Sequence, residues 1–171
     1  MKKHFCALIT FAVLAVASIG GVMAADLSDY AENRIVDALF RGQALDAPAS
    51  WHLALYTDTC TDAGPGAEIS TSGTAYGRQA VASSLANWAG TQAAGSTSAS
   101  TGTSGTTSNN GPIVWPESTA AWGTIQSVGF VDTATAGNRW VCINLTAPFA
   151  VASAGVTVRF NVGALQFQID D

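Results

Sequence analysis

From Trp51 to the C-terminus, short apolar segments are separated by turn residues. This pattern constrains the fold class more than any other feature of the sequence. Trp51, Leu53 and Leu55 alternate with other residues in the first segment, and residues 165–169 alternate in the same way. A period of two places successive side chains on opposite faces of a β-strand. The pattern therefore predicts a mainly β fold, an antiparallel β-sandwich or a jelly-roll-like barrel.

The turn residues set the bounds of the expected strands. Gly64-Pro65-Gly66 interrupts a loop over residues 58–73, and four further turns begin at Pro116, Ala136, Ser153 and Val162. A chain of 171 residues is long enough for one domain, which we expect over residues 25–171. The predicted strands are 51–57, 75–85, 113–115, 121–131, 139–146, 156–161 and 164–169.

One short amphipathic α-helix is predicted before the strands, over residues 28–41. Asp29 and Glu32 have the spacing of a capping-box variant, and Gly42 stands where a glycine ends many helices. We expect this helix to cover an open end or an edge of the sheet. Its apolar side is predicted to carry Tyr30, Ile35, Leu39 and Phe40.

The first 24 residues have the pattern of a secretory signal peptide. Lys2 and Lys3 precede an apolar run over residues 5–22, and small residues surround Ala24 at the expected cleavage site. Two alternatives stay open. The run is long enough for an uncleaved anchor, and Met23 offers a second start that would make the upstream stretch a mis-called one.

The charges exclude several classes of function. Lysine is absent beyond residue 24, where five arginines face twelve carboxylates, so a nucleic acid would be repelled. No nucleophile elbow, phosphate loop or paired-histidine motif is present, so we predict no enzyme, no catalytic residue, no cofactor and no metal site. Asp58, Asp62 and Glu68 share a loop but lack an EF-hand spacing, which favours a solvated turn.

Two cysteines remain once the leader is set aside. Cys60 and Cys142 form an even pair, which an oxidising compartment would allow to bridge. A bridge closing a loop of this length would stabilise the fold by about 4 kcal/mol. The alternative is two buried thiols that lie far apart. His52 lies on an alternating strand, where a position on the other face is more common than a catalytic base.

A polar tract over residues 89–111 contains only small or amide side chains and no charge. Such a composition cannot anchor a core by itself. The tract is therefore either a flexible surface excursion or an extended segment ordered by contact with a neighbouring subunit.

Tryptophans offer the remaining candidate site. One interpretation is that the rings pack in the core or at an edge, and the other is that they form an exposed platform that stacks on sugar rings. Gly129 lies inside a predicted strand, which indicates a bulge or a close contact. The candidate rings for aromatic binding or packing are Trp51, Trp115, Trp122 and Trp140.

Several segments, in this order along the chain, resemble small phage tail fibre and minor tail proteins over about residues 27–171. The strongest likeness runs from Ser108 through Trp115-Pro116 to Asp132. The other matching segments are 27–30 with Asn33, Leu39 and Phe40, then 53–57, 73–78 and 163–165.

This resemblance implies a β-rich virion subunit that is present in many copies and has no catalytic residues. Its partners would be copies of itself and other virion or fibre proteins, with no nucleic acid and no membrane after cleavage of the signal. The signal peptide supports two alternatives, an exported β-sandwich adhesin or carbohydrate-binding module that recognises a cell-surface glycan, and a subunit of an extracellular filament. The expected location is the virion, or the extracellular or periplasmic space.

Overall fold

A computed structural model of the protein describes residues 16–19, 25–63 and 66–169, and it is mainly β with one short helix, as predicted. The helix is α1 (Asp29–Phe40). The strands are β1 (Val16–Ile19), β2 (Ala25–Leu27), β3 (Ser50–Tyr56), β4 (Gln79–Ala82), β5 (Thr106–Ser108), β6 (Ile113–Val114), β7 (Gly123–Val131), β8 (Arg139–Val151), β9 (Thr157–Phe160) and β10 (Gln166–Gln168).

The largest sheet has five strands in the order β2-β8-β7-β3-β4, and every neighbouring pair is antiparallel. Because side chains alternate along a strand, the register divides them between two faces. Trp51, Phe130 and Val141 lie on one face, which we call the pocket face. Tyr56 and Gly129 lie on the other, which we call the polar face.

Two smaller sheets complete the sandwich-like fold. One has the order β1-β9-β6, in which β1 runs parallel to β9, and the other pairs β10 with β5. Residues of β6 and β9 share one buried cluster with the pocket face of the large sheet, so the core lies between the layers. Its innermost side chains include Leu53, Leu55, Trp115, Ile125, Val128, Val151, Val158 and Phe160.

The helix has the predicted ends, but only part of its predicted apolar side is buried. Its N-cap is Ser28, whose hydroxyl oxygen accepts the N–H of Ala31, whereas Asp29 belongs to the first turn. Gly42 follows the C-terminus with a φ of +69°. Leu39 and Phe40 are 71% and 81% exposed, so their predicted packing against the core was wrong. The helix contacts the sheet through the first part of its predicted apolar side, where Ala31 is fully buried and Tyr30 packs on Trp140.

Two predicted strands have different bounds in the structure. The strand expected over 75–85 is limited to β4, because Ala75 takes a left-handed φ of 57° and the Tyr76 hydroxyl accepts the N–H of Leu55. The strand expected to end at Thr146 continues to Val151. A register shift opposite Ile125–Ser127 accommodates Pro148, which lacks an N–H group.

Most of the predicted signal peptide lies outside the described residues, because only β1 is described in the first 24 positions. The signal peptide therefore stays a prediction. No helix in the described part of the chain has the length and hydropathy needed to cross a bilayer.

Candidate functional site

An open apolar pocket of about 510 Å³ lies on the pocket face of the large sheet. Four aromatic residues line it, Trp51, Trp88, Phe130 and Phe167. Its walls carry no charged residue, and its size falls within the range of about 300–1,000 Å³ that small-molecule sites occupy. The other lining residues are Ser83, Ser84, Leu85, Ala89, Gly90, Ser100, Thr107 and Val141.

A line of aromatic contacts connects this pocket to the helix. Tyr30 of α1 meets Trp140 edge to face, with ring centroids 5.4 Å apart. Trp140 meets Trp51 at 5.7 Å, Trp51 meets Phe130 at 5.9 Å, and Phe130 meets Trp88 at 5.5 Å. Such edge-to-face pairs add to the stabilisation that burial provides. The position of α1 and the shape of the pocket are therefore linked through packed rings.

The polar tract over residues 89–111 forms one side of the pocket instead of extending away from the domain. Within it, the Gln92 side chain donates to the Ser98 hydroxyl at 2.9 Å and accepts the N–H of Thr101 at 2.9 Å. Thr107 donates from its hydroxyl to the carbonyl oxygen of Ala89 at 2.8 Å. Hydrogen bonds between side chains and backbone order the tract on its own chain, which an apolar pattern could not reveal.

Trp88 is the pocket residue that the sequence did not identify. It ends a tight turn in which its N–H donates to the carbonyl oxygen of Ser84 at 3.0 Å, and it forms an isolated bridge with Asn109. It lies between a predicted strand and the polar tract, so it belongs to no alternating pattern from which its position could be predicted. The one available signal is that it is the last large side chain before a stretch with none.

The four predicted tryptophans divide into two groups. Trp115, Trp122 and Trp140 are buried, with 1%, 5% and 5% of their surface exposed. Trp122 donates from its ring nitrogen to the carbonyl oxygen of Thr74 at 2.8 Å. Only Trp51 is half-buried at the pocket. The structure thus places three rings in the core and one in the candidate site.

Polar groups beside the polar face form a closed network around Glu68. Arg78 donates to both of its carboxylate oxygens, at 2.9 and 2.7 Å, and the Tyr76 hydroxyl donates to one of them at 3.0 Å. Burial raises the pKa of Tyr76, and the hydrogen bond to Glu68 raises the pKa of Arg78. Both groups therefore stay protonated, and they connect the loop after β3 to the segment before β4.

Arg139 completes the polar face. Its guanidinium lies 5.5 Å from the centre of the Tyr56 ring and donates to the carbonyl oxygen of Thr61 at 2.6 Å. Burial raises the pKa of Tyr56 to about 12. The two side chains lie over Gly129, where a Cβ atom would come within 2.7 Å of the Tyr56 ring. This is the close contact that the sequence indicated at Gly129.

A disulfide joins Cys60 and Cys142 on the same face, with Cα atoms 5.7 Å apart. The N–H of Cys60 also donates to the side-chain oxygen of Asn144 at 2.8 Å. Asp58 belongs to the same loop and accepts the N–H of Ala67 at 2.9 Å. Of the carboxylates singled out in this loop, Asp58 therefore holds backbone and Glu68 pairs with Arg78.

The comparison with protein families decides the class of this chain. A family model described as podophage GP4 fiber I protein gp80 matches residues 26–168. The chain belongs to this phage fibre family. The predicted resemblance to phage tail fibre proteins is confirmed, and with it a structural role in the phage virion. A comparison with curated proteins found no match.

The fibre family covers every element from α1 to β10 and every residue that lines the pocket. The match begins next to Leu27, where the resemblance in the sequence also begins. The polar network, the disulfide and the pocket therefore all belong to the fibre domain. The pockets on the two faces of its large sheet differ in their lining. Charged and polar groups line a pocket of about 370 Å³ on the polar face, and aromatic rings line the one on the pocket face.

Proposed function

We propose that this protein is a non-enzymatic fibre subunit of the virion that works by self-association. Its partners are further copies of itself and other virion proteins. Membership of the fibre family supports the structural role. The polar cluster is consistent with a structural role, because Arg78, Glu68 and Tyr76 hold one another in place through hydrogen bonds.

One observation carries the self-association, an exposed apolar stripe on α1. Val36, Leu39 and Phe40 are 49%, 71% and 81% exposed and share a helix face by their spacing of three and four residues. We call this set the apolar stripe. Contiguous apolar surface on a soluble chain marks a contact with another molecule. A subunit that repeats in a fibre supplies that contact.

Light scattering coupled to size-exclusion chromatography tests the proposal. The protein expressed from its full-length coding sequence should form oligomers whose mass rises with concentration over the micromolar range. The fibre itself should appear as repeated copies when virions are imaged by electron microscopy. A chain that stays monomeric at every concentration, and one copy per fibre in the virion, would contradict self-association.

A second candidate function, recognition of a cell-surface glycan, is favoured by the aromatic pocket. Trp51 and Trp88 are half-buried there, and aromatic rings stack on the apolar faces of sugars. A glycan array tests this directly. Binding that is lost in Trp88→Ala and kept in Leu45→Ala, an exposed apolar position outside the pocket lining, would establish it. An array without hits would exclude it.

The predicted signal peptide concerns the route to the virion. Intact mass and N-terminal sequencing of the protein from virions separate the alternatives. A start at Ala25 supports export and cleavage, which would favour the extracellular filament or the surface module. A start at Met23 or Ala24 supports assembly in the cytoplasm and makes the upstream stretch a mis-called start.

A further inference from the structure

We propose that the apolar stripe of one copy inserts Phe40 and Leu39 into the aromatic pocket of a second copy. This inference rests on the proposed self-association and names the two surfaces that carry it. One chain then contributes a projecting group at the end of α1 and a receiving pocket on the large sheet.

The lining of the pocket suits an apolar side chain better than a sugar. Three of its hydroxyl groups already have partners in the same chain. Ser83 donates to the carbonyl oxygen of Pro48 at 2.7 Å, and Thr107 donates to that of Ala89 at 2.8 Å. The Ser100 hydroxyl accepts the N–H of Thr91 at 3.3 Å. The Ser83 and Thr107 protons are therefore committed within the chain, and the lining residues include no charged or amide side chain to orient a sugar.

The ring nitrogen of Trp88 leads to the same conclusion. It is buried and has no hydrogen-bond partner in the part of the chain that the structure describes, so it does not face an incoming ligand. What Trp88 offers to the pocket is therefore its apolar surface, next to Phe130. Leu85 extends this apolar surface to the rim, where it is 53% exposed.

The stripe has the matching chemistry. Asp37 and Arg41, beside Leu39 and Phe40, pair with each other at 2.6 Å, so the last turn of the helix presents little net charge to an uncharged pocket. Glu32 lies a turn further away, next to Val36. An aromatic side chain buries about 150–250 Å² when it enters a pocket. Phe40 is 81% exposed and so does not fill the pocket of its own chain. We therefore assign the Phe40 ring to the pocket of another copy.

The symmetry of this contact suits a fibre. The stripe and the pocket are different surfaces, so each copy has one of each to offer its neighbours. Contacts between unlike surfaces continue from copy to copy and give rings or filaments. A chain of such contacts builds an extended assembly from a single kind of subunit.

Two exposed positions allow each surface to be altered without disturbing the core. Phe40→Ser removes the projecting ring. Ser84→Arg places a charged side chain at the pocket, at a position where only the backbone carbonyl supports the turn. Val162→Ser is the matched control, because Val162 is 57% exposed and belongs to neither surface. Circular dichroism and thermal melting establish that each variant is folded.

The test measures the mass of each protein by light scattering, alone and in mixture. Phe40→Ser and Ser84→Arg should each weaken self-association by at least about tenfold, as truncation at the centre of an interface does, and Val162→Ser should leave it unchanged. The two disabled proteins, mixed, should form a one-to-one pair and nothing larger, because one keeps the pocket and the other keeps the ring.

The contradicting outcomes separate the two proposals. If the wild type and both variants assemble equally well, self-association is retained and the contact between Phe40 and the pocket is contradicted. Variants that stay monomeric after mixing overturn it as well. A pocket that binds a glycan in solution, with Ser84→Arg blocking the glycan but not assembly, assigns the pocket to the sugar. A wild-type chain that is monomeric at every concentration overturns both proposals.

Discussion

The two faces of the five-stranded sheet are built from the same strands but carry different kinds of contact. On the polar face, a disulfide and an arginine-carboxylate pair bind loops to the sheet. On the pocket face, aromatic rings line an open space that no side chain of the described residues fills. We expect the polar face to be held together within one chain and the pocket face to be completed by contact with a partner. Substitutions on the first should therefore change stability, and substitutions on the second should change association.

Removal of the disulfide should have the largest effect on stability. Cys60 and Cys142 are 82 residues apart. A cross-link that closes a loop of about this length reduces the entropy of the unfolded chain and stabilises the fold by about 4 kcal/mol. The double variant Cys60→Ala/Cys142→Ala should unfold at a much lower temperature in calorimetry. Reductant should lower the midpoint of the wild type toward that of the double variant and leave the variant unchanged. If reductant does not change the unfolding temperature of the wild type, the disulfide is contradicted.

Gly129→Ala should come next, because the added Cβ would lie 2.7 Å from the Tyr56 ring and 3.0 Å from Arg139. Overpacking of this kind costs about 1–3 kcal/mol. Gly77→Ala is the control, since a Cβ there meets nothing within 4 Å. Urea unfolding of both variants measures the difference. Equal midpoints for the two would show that the polar face is not tightly packed.

High pH should loosen the polar face. Burial raises the pKa of Tyr56 from 10.0 to about 12, so the folded protein holds this proton more tightly than the unfolded chain does. That stabilisation is complete below pH 10 and is lost as the pH rises toward 12. Urea unfolding between pH 9 and 12 should show the decline, and Tyr56→Phe should reduce it. If Tyr56→Phe loses stability with rising pH as steeply as the wild type, the loss does not come from Tyr56.

Phe40→Ser should have the smallest effect on the stability of the monomer, within about 0.5 kcal/mol, because the side chain is largely exposed. Dilute urea unfolding, below the concentration at which oligomers form, measures it. The same variant should have a large effect on association. A loss of several kcal/mol in the monomer would mean that Phe40 packs within its own chain and would erase the contrast between the faces.

Local signals allowed much of the fold to be predicted. The helix ends within a residue or two of the prediction because Gly42 terminates it, and β3 was found from its alternation. The strand expected at 75–85 failed because Tyr76 turns its hydroxyl toward another strand, a contact that no local pattern reveals. Leu39 and Phe40 failed for a related reason: periodicity shows that a helix has an apolar face but not what covers it.

The candidate site could be predicted only in part. Trp51 was identified because it begins an alternating strand. Trp88 was missed, because the pocket draws on segments that are distant in sequence and brought together by the order of the strands and by the polar tract. The order of that tract depends on bonds such as those of Gln92, which composition does not show.

The most direct measurement places a photoreactive phenylalanine analogue at position 40 in the assembled protein. Mixing isotope-labelled and unlabelled chains before irradiation separates contacts between copies from contacts within one, and mass spectrometry locates the linked residues. We expect mixed-label links to the pocket, at or near Leu85 and Trp88. Links that stay within one chain, or that join position 40 to any other surface of a second copy, would contradict it.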